Sequence, residues 1–240
     1  MCGRYSITTP PEAMTRLFGI SGPVPNFPAN YNVAPTHDVP VVRQGDGARE
    51  ITLLRWGLLP SWAKEGANPL INARGESVAE KPSFRTAFKR RRCLLPADGF
   101  YEWRRPAGEP KHPFNIRPAE GGPFAMAGIW ETWTAPDGTA LDTCAIITTS
   151  ANKTLEAIHH RMPVILAPED WTPWLETPEV DASDLLSLIK PSPDDLLEAY
   201  EVSTRVNRVA NNGPDLLDAA APQEALPPAA KKKPDQGSLF

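Results

Sequence analysis

At 240 residues, 41% of them hydrophobic, the chain is long enough to bury one sizeable core, so a single domain with extensions is expected. No run is apolar enough to span a bilayer and residues 1–20 lack an export signal; the three cysteines, Cys2, Cys93 and Cys144, are an odd set without C-x-x-C spacing, which argues against a disulfide framework or structural zinc site. The net charge of −4 hides a split: residues 1–117 hold 17 Lys and Arg against 10 Asp and Glu, a net of +7, and residues 118–240 hold 8 against 19, a net of −11, which makes the first half a candidate nucleic-acid face.

In chain order, Cys2 comes first. Removal of Met1 would leave an α-amine and a thiol on one residue, titrating near about 8 and about 8.5. Such an aminothiol condenses with an aldehyde to a Schiff base, and the neighbouring thiol then closes a thiazolidine ring at high effective molarity. A cysteine here is equally compatible with an ordinary frayed terminus. Next, Thr9 is placed to cap a helix that begins Pro10-Pro11, runs through Met14, Leu17 and Phe18 and stops at Gly19. Residues 21–35 read as irregular, and residues 39–43 and 50–56 as a hairpin around Gln44-Gly45-Asp46-Gly47. Residues 68–74 read as a loop entering a helix, and residues 82–89 as a second helix. From Cys93 onward the pattern is strands: 93–95, 99–104, 113–117, 124–133 and 141–148, divided by turn-rich stretches. A helix over 152–158, a strand over 162–166, two or three short acidic helices over 168–200 and a last strand over 202–206 complete the pattern. The fold class is α+β: one domain over residues 2–208 on a curved, mostly antiparallel sheet or barrel with short flanking helices. Residues 209–240 are expected to be a flexible, disordered tail.

Several polar residues in structured surroundings are candidates for chemistry. Asn72 and Arg74 are, taken alone, a helix cap and a surface charge. Glu102, within Gly99-Phe100-Tyr101-Glu102-Trp103, is either an outward strand residue or a carboxyl whose pKa an aromatic pocket raises toward general acid–base use. His159 and His160 stand between a helix and a strand, where a histidine often complements a helix C-terminus. Trp56 and Trp62, in a Gly/Pro-broken stretch, are core residues or base-stacking platforms.

Together these stretches resemble one family. Met1-Cys2-Gly3-Arg4, Asn30-Tyr31-Asn32-Val33-Ala34-Pro35, Arg55-Trp56-Gly57-Leu58, Ile71-Asn72-Ala73-Arg74, Pro96-Ala97-Asp98-Gly99-Phe100-Tyr101-Glu102-Trp103, Ala127-Gly128-Ile129-Trp130 and His159-His160-Arg161-Met162-Pro163 are similar, in order, to the signatures of the SOS response-associated peptidase (SRAP) family. The resemblance implies a DNA-damage protein that covalently traps abasic sites in single-stranded DNA through its N-terminal cysteine. It implies Cys2 as nucleophile, Asn72 as the group orienting the amine, Glu102 as the proton-transfer acid and His159 as the family histidine, with His160 able to share or confuse that role. It also implies Arg4, Arg74 and Arg161 as phosphate contacts, with Trp56, Trp62, Phe84 and Arg85 as further residues of a DNA groove. No metal or cofactor is expected; a monomer in the cytoplasm, associated with the nucleoid when on DNA, is. The terminal Gln236-Gly237-Ser238-Leu239-Phe240 resembles the peptides that dock in the replicative sliding clamp, which makes Gln236, Leu239 and Phe240 candidate anchors. Two other classes stay open: an N-terminal-nucleophile thiol peptidase using Cys2 and His159, and a non-catalytic single-strand binder.

Overall fold

The computed structural model describes residues 2–220, the side chain of Val180 excepted. Strand β1 (Tyr5–Ile7) leads into helix α1 (Pro11–Phe18), and β2 (Asn30–Val33), β3 (Asp38–Gln44) and β4 (Arg49–Trp56) follow. Then come β5 (Asn72–Arg74), α2 (Arg85–Arg90), β6 (Arg92–Ala97), β7 (Gly99–Arg104) and β8 (His112–Pro118). The longest strands, β9 (Phe124–Thr134) and β10 (Ala140–Ser150), precede the single turn α3 (Lys153–Glu156). The chain continues through β11 (Arg161–Pro163), β12 (Ile165–Leu166), α4 (Pro168–Glu176) and β13 (Leu197–Glu201). As the composition predicts, this is an α+β fold with mostly antiparallel sheets.

One sheet has the order β13-β8-β7-β1-β2. The other runs β11-β10-β4-β3-β6-β9-β12, and because β9 also pairs with β10 its central strands close on themselves as a small barrel. Alternating side chains fill that barrel: Val39, Val41, Leu54, Leu94 and Ala127 are almost wholly buried, and each large one stabilises the fold by about 1.5–3 kcal/mol. Gly128 is required where β9 crosses β6, since a Cβ there would lie 2.2 Å from Leu95 Cδ1.

Local chemistry explains the elements, and in places corrects the sequence reading. Helix α1 stops as expected, with Gly19 in the left-handed region at φ 67°. Thr9 does not cap it: Pro10 is the N-cap, and Thr9 instead gives its N–H (2.9 Å) and hydroxyl (2.5 Å) to Asp98, which also accepts from Thr8. Residues 71–74 form no loop into a helix; β5 runs parallel to β10, with Asn72 level with Ile146, and turns into one 3₁₀ turn at Gly75–Ser77. The segment read as irregular contains β2, which pairs with β1. The last strand is β13, five residues earlier than expected at both ends, and Thr204–Asn207 is a 3₁₀ turn.

The ordered chain also passes the expected boundary at 208. Asn32 Nδ2 donates to the carbonyls of Arg208 (3.0 Å) and Asn211 (2.8 Å), the Asn212 side chain accepts from Tyr31 N–H at 2.8 Å, and Leu216 is buried. Residues 211–220 are therefore a brace across β2 and β13 that holds the first sheet.

Candidate functional site

The site lies where the two sheets part. Strands β1 and β7 are antiparallel with Tyr5 opposite Phe100, and the Tyr101 N–H donates to Arg4 O at 2.9 Å, so the same register brings the stretch before β1 alongside Glu102. On the other sheet, β10 pairs with β9 up to Ile146; past that point β5 lies along one side of it and β11 along the other. This fork puts Asn72 and Arg74 on one edge and His159 with Arg161 on the other, facing the N-terminal segment.

Cys2 is wholly buried. Its carbonyl accepts from Asn72 Nδ2 at 2.8 Å, and its thiol points to Arg4 O at 3.9 Å. Asn72 Oδ1 is buried and has no hydrogen-bond partner among the described residues. Asn72 is thus a strand residue that grips the Cys2 backbone, not a helix cap. Burial drives the Cys2 thiol well above the ordinary range, so the sulfur is protonated.

Glu102 and His159 meet here from different sheets, with Glu102 Oε1 4.0 Å from His159 Nδ1. Glu102 is 3% exposed, which makes it the pocket carboxyl and not an outward strand residue. Burial raises its pKa and lowers that of His159, favouring the neutral form of each. The His159 ring is held on both sides. Its Nδ1 lies 2.9 Å from Arg161 N and 3.2 Å from Arg161 O, and His160 stacks on it at 4.5 Å between centroids.

The arginines divide. Arg74 is exposed and forms no ion pair among the described residues, as does Arg85. Arg4 is half-buried and donates through Nη1 to Asn32 Oδ1 (2.8 Å) and Val206 O (2.9 Å), fastening the N-terminal segment to β2 and to the 3₁₀ turn at Thr204–Asn207. Arg161 is engaged by Glu76.

Two proposed groove residues are corrected. Trp56 is fully buried, donates to Ile71 O at 2.9 Å and packs edge-on against Tyr5, and Phe84 is 6% exposed; neither face is open to a base. Trp62, 66% exposed, is the aromatic that stands free. Gln236, Leu239 and Phe240 lie outside the described residues. Sequence reasoning missed Arg105, just past β7, whose positive charge reaches both Glu102 and His159, and Glu76. Nothing local marks either; the contacts come from pairings many residues apart. Among the described residues there is no group of three or more His, Cys, Asp or Glu that could hold a metal, and no helix long and apolar enough to cross a membrane.

The family model for SOS response associated peptidase (SRAP) matches residues 1–209. The chain belongs to the SRAP family. Among its relatives, "Abasic site processing protein YoqW" of Bacillus subtilis (strain 168) is 40% identical over 223 residues, covering 91% of this chain and 100% of that protein. "Abasic site processing protein HMCES" of Mus musculus is 33% identical over 285 residues, covering 98% of this chain and 78% of that one. A crystal structure of a protein from Bacteroides thetaiotaomicron shares the SRAP fold with a TM-score of 0.82 at 27% identity, covering 92% of this chain and all of that one, 100%.

Proposed function

We propose that this SRAP protein processes abasic sites in single-stranded DNA by covalent capture on Cys2 once Met1 has been removed. The observation that carries the reading is the meeting of Cys2, Asn72, Glu102 and His159, drawn from four separate segments, in one buried corner. The names of its relatives as abasic site processing proteins support it.

An abasic deoxyribose is mostly a closed hemiacetal. His159, with the proton of its neutral ring on Nδ1 toward Arg161 O, takes the hemiacetal hydroxyl proton at Nε2 and returns it to the ring oxygen as the C–O bond breaks and the aldehyde forms. The freed α-amine of Cys2, held by the Asn72 grip on its carbonyl, forms an N–C bond to that aldehyde carbon and gives a carbinolamine. Glu102, kept protonated to higher pH by burial, donates the proton with which the hydroxyl leaves as water. The Cys2 sulfur then bonds to the imine carbon while its proton passes to the nitrogen, closing the thiazolidine; the net loss is one water. Amine attack comes first because the sulfur closes the ring on the imine carbon that the amine creates.

Arg74 and Arg85, with Trp62, supply an exposed cationic and stacking surface for the strand. The decisive experiment mixes the purified protein with single-stranded DNA carrying one abasic site and reads a denaturing gel and intact mass. The expected product is protein without Met1 plus DNA less one water, absent in Cys2→Ala. A stable adduct in Cys2→Ala refutes the mechanism; no adduct from protein lacking Met1 favours the thiol peptidase or simple binder instead.

A further inference from the structure

Arg161 and Glu76 form a two-pronged ion pair at the rim of the site. Arg161 Nη1 lies 2.5 Å from Glu76 Oε1 and Nη2 lies 2.9 Å from Oε2. Nη2 also donates to Thr148 O at 2.7 Å, and Nε is buried without a partner among the described residues. The pair is asymmetric: the Arg161 side chain is 11% exposed and that of Glu76 is 56% exposed. Glu76 is therefore the solvent-facing half, sitting where an incoming anion would approach the guanidinium. Its carboxyl is held below the ordinary range by the hydrogen bonds from Arg161, with the charge of Arg74, two residues earlier, acting the same way. It is an anion throughout the pH range in which DNA binds.

A guanidinium pairs with carboxylate and phosphate in the same forked geometry. A DNA phosphate reaching Arg161 must exchange one anion for another, and it meets the repulsion of Glu76 while doing so. We propose that Glu76 is a specificity-determining residue, an internal stand-in for phosphate that keeps undamaged single strands weakly bound so that lasting association depends on the covalent trap. The inference rests on the DNA-capture reading above. Specificity of this kind comes from weakening the wrong partner and not from strengthening the right one. Because Arg161 is braced by Thr148 as well as by Glu76, the guanidinium keeps a support when the carboxylate is neutralised.

The test is Glu76→Gln, which keeps an oxygen facing Arg161 and removes the charge. Binding of an intact single-stranded oligonucleotide is measured by fluorescence anisotropy across a salt series, with thermal melting to check folding. The expected result is affinity about fivefold higher at about 50 mM salt, with a log–log salt slope steeper by about 0.7, the increment for one more neutralised phosphate. Unchanged or weaker binding overturns the proposal and makes Glu76 a brace for Arg161 only. Should the Gln variant fail to fold, Glu76→Asp, whose shorter arm opens the fork, replaces it: a smaller gain supports the proposal and none overturns it. Trapping of abasic DNA by the wild type, scored in parallel, separates the two failures. Trapping without a gain in the variant defeats this inference alone, whereas a gain without trapping defeats the capture reading and with it the specificity role, leaving Glu76 only as a charge that weakens binding of intact DNA.

Discussion

Asn72→Ala is the sharpest probe of the site, because the side chain makes one assignable bond. Its Nδ2 donates to the Cys2 carbonyl at 2.8 Å, in a place where Cys2 has no exposure to water that could replace the donor. Leaving a buried carbonyl unsatisfied costs about 1–3 kcal/mol. If the whole cost falls on holding the Cys2 amine in line with the aldehyde, single-turnover capture slows by about fivefold to about 150-fold. If part of it falls on the fold, the melting temperature drops by about 2–4 °C for each kcal/mol. The assay is a time course of adduct on a denaturing gel at saturating abasic DNA, with melting in parallel. Asn72→Asp, equal in volume but unable to donate when ionised, should be at least as slow as Ala. Wild-type rates in Asn72→Ala would refute the argument that this bond aligns the nucleophile; wild-type rates in Asn72→Asp alone would show that shape matters and the donor does not.

Glu102→Gln separates catalysis from stability. A carboxyl whose pKa is raised on folding contributes stability that is complete below its unfolded value of about 4.3 and is lost as pH rises through the folded value. The melting temperature of the Gln variant minus that of wild type should therefore grow from pH 4 to pH 8 while capture falls; a difference flat with pH would refute the buried-carboxyl account. The two tryptophans should behave oppositely. Trp62→Ala should leave stability within about 0.5 kcal/mol yet weaken single-strand affinity by about 1–3 kcal/mol, whereas Trp56→Ala should cost about 3–5 kcal/mol of stability, read by denaturant titration and anisotropy.

How much of this was legible in the sequence depended on how local the cause was. Strand β7 was bounded correctly at Gly99 and Arg104, and β8, β9 and β10 to within two residues, because turn residues and alternating side chains act within a few positions. Helix α1 announces its start at Pro10-Pro11 and its end at Gly19 but not its cap, since Asp98, distant in sequence, claims the hydroxyl of Thr9. Three-residue β5 had no periodicity to read; it exists because β10 offers an edge past Ile146. The same limit applies to the site. Cys2, Asn72, Glu102 and His159 were named through motif resemblance, and the structure brings them together, but the burial of Trp56 and Phe84 and the pairing of Arg161 with Glu76 depend on elements that meet only in three dimensions. The brace over residues 211–220 escaped for a related reason: its Asn/Pro-rich composition matches a linker, and its order comes from the Asn32 and Tyr31 contacts.

That brace bears on when the protein becomes competent. Arg4, two residues after Cys2, is tied to Asn32, which the brace holds through Asn211, and to the carbonyl of Val206 ahead of it, and the Cys2 carbonyl is held by Asn72. During synthesis the first residue to leave the ribosome is thus among the last to find its place, after nearly the full ordered chain has been made. Until then Cys2 lies on a segment that lacks the Asn72 bond to its carbonyl and the Glu102 carboxyl that the proposed capture uses. A truncation short of residue 206 should carry the nucleophile and lack its function. On the capture reading proposed above, that order of assembly keeps Cys2 from reacting before its site exists.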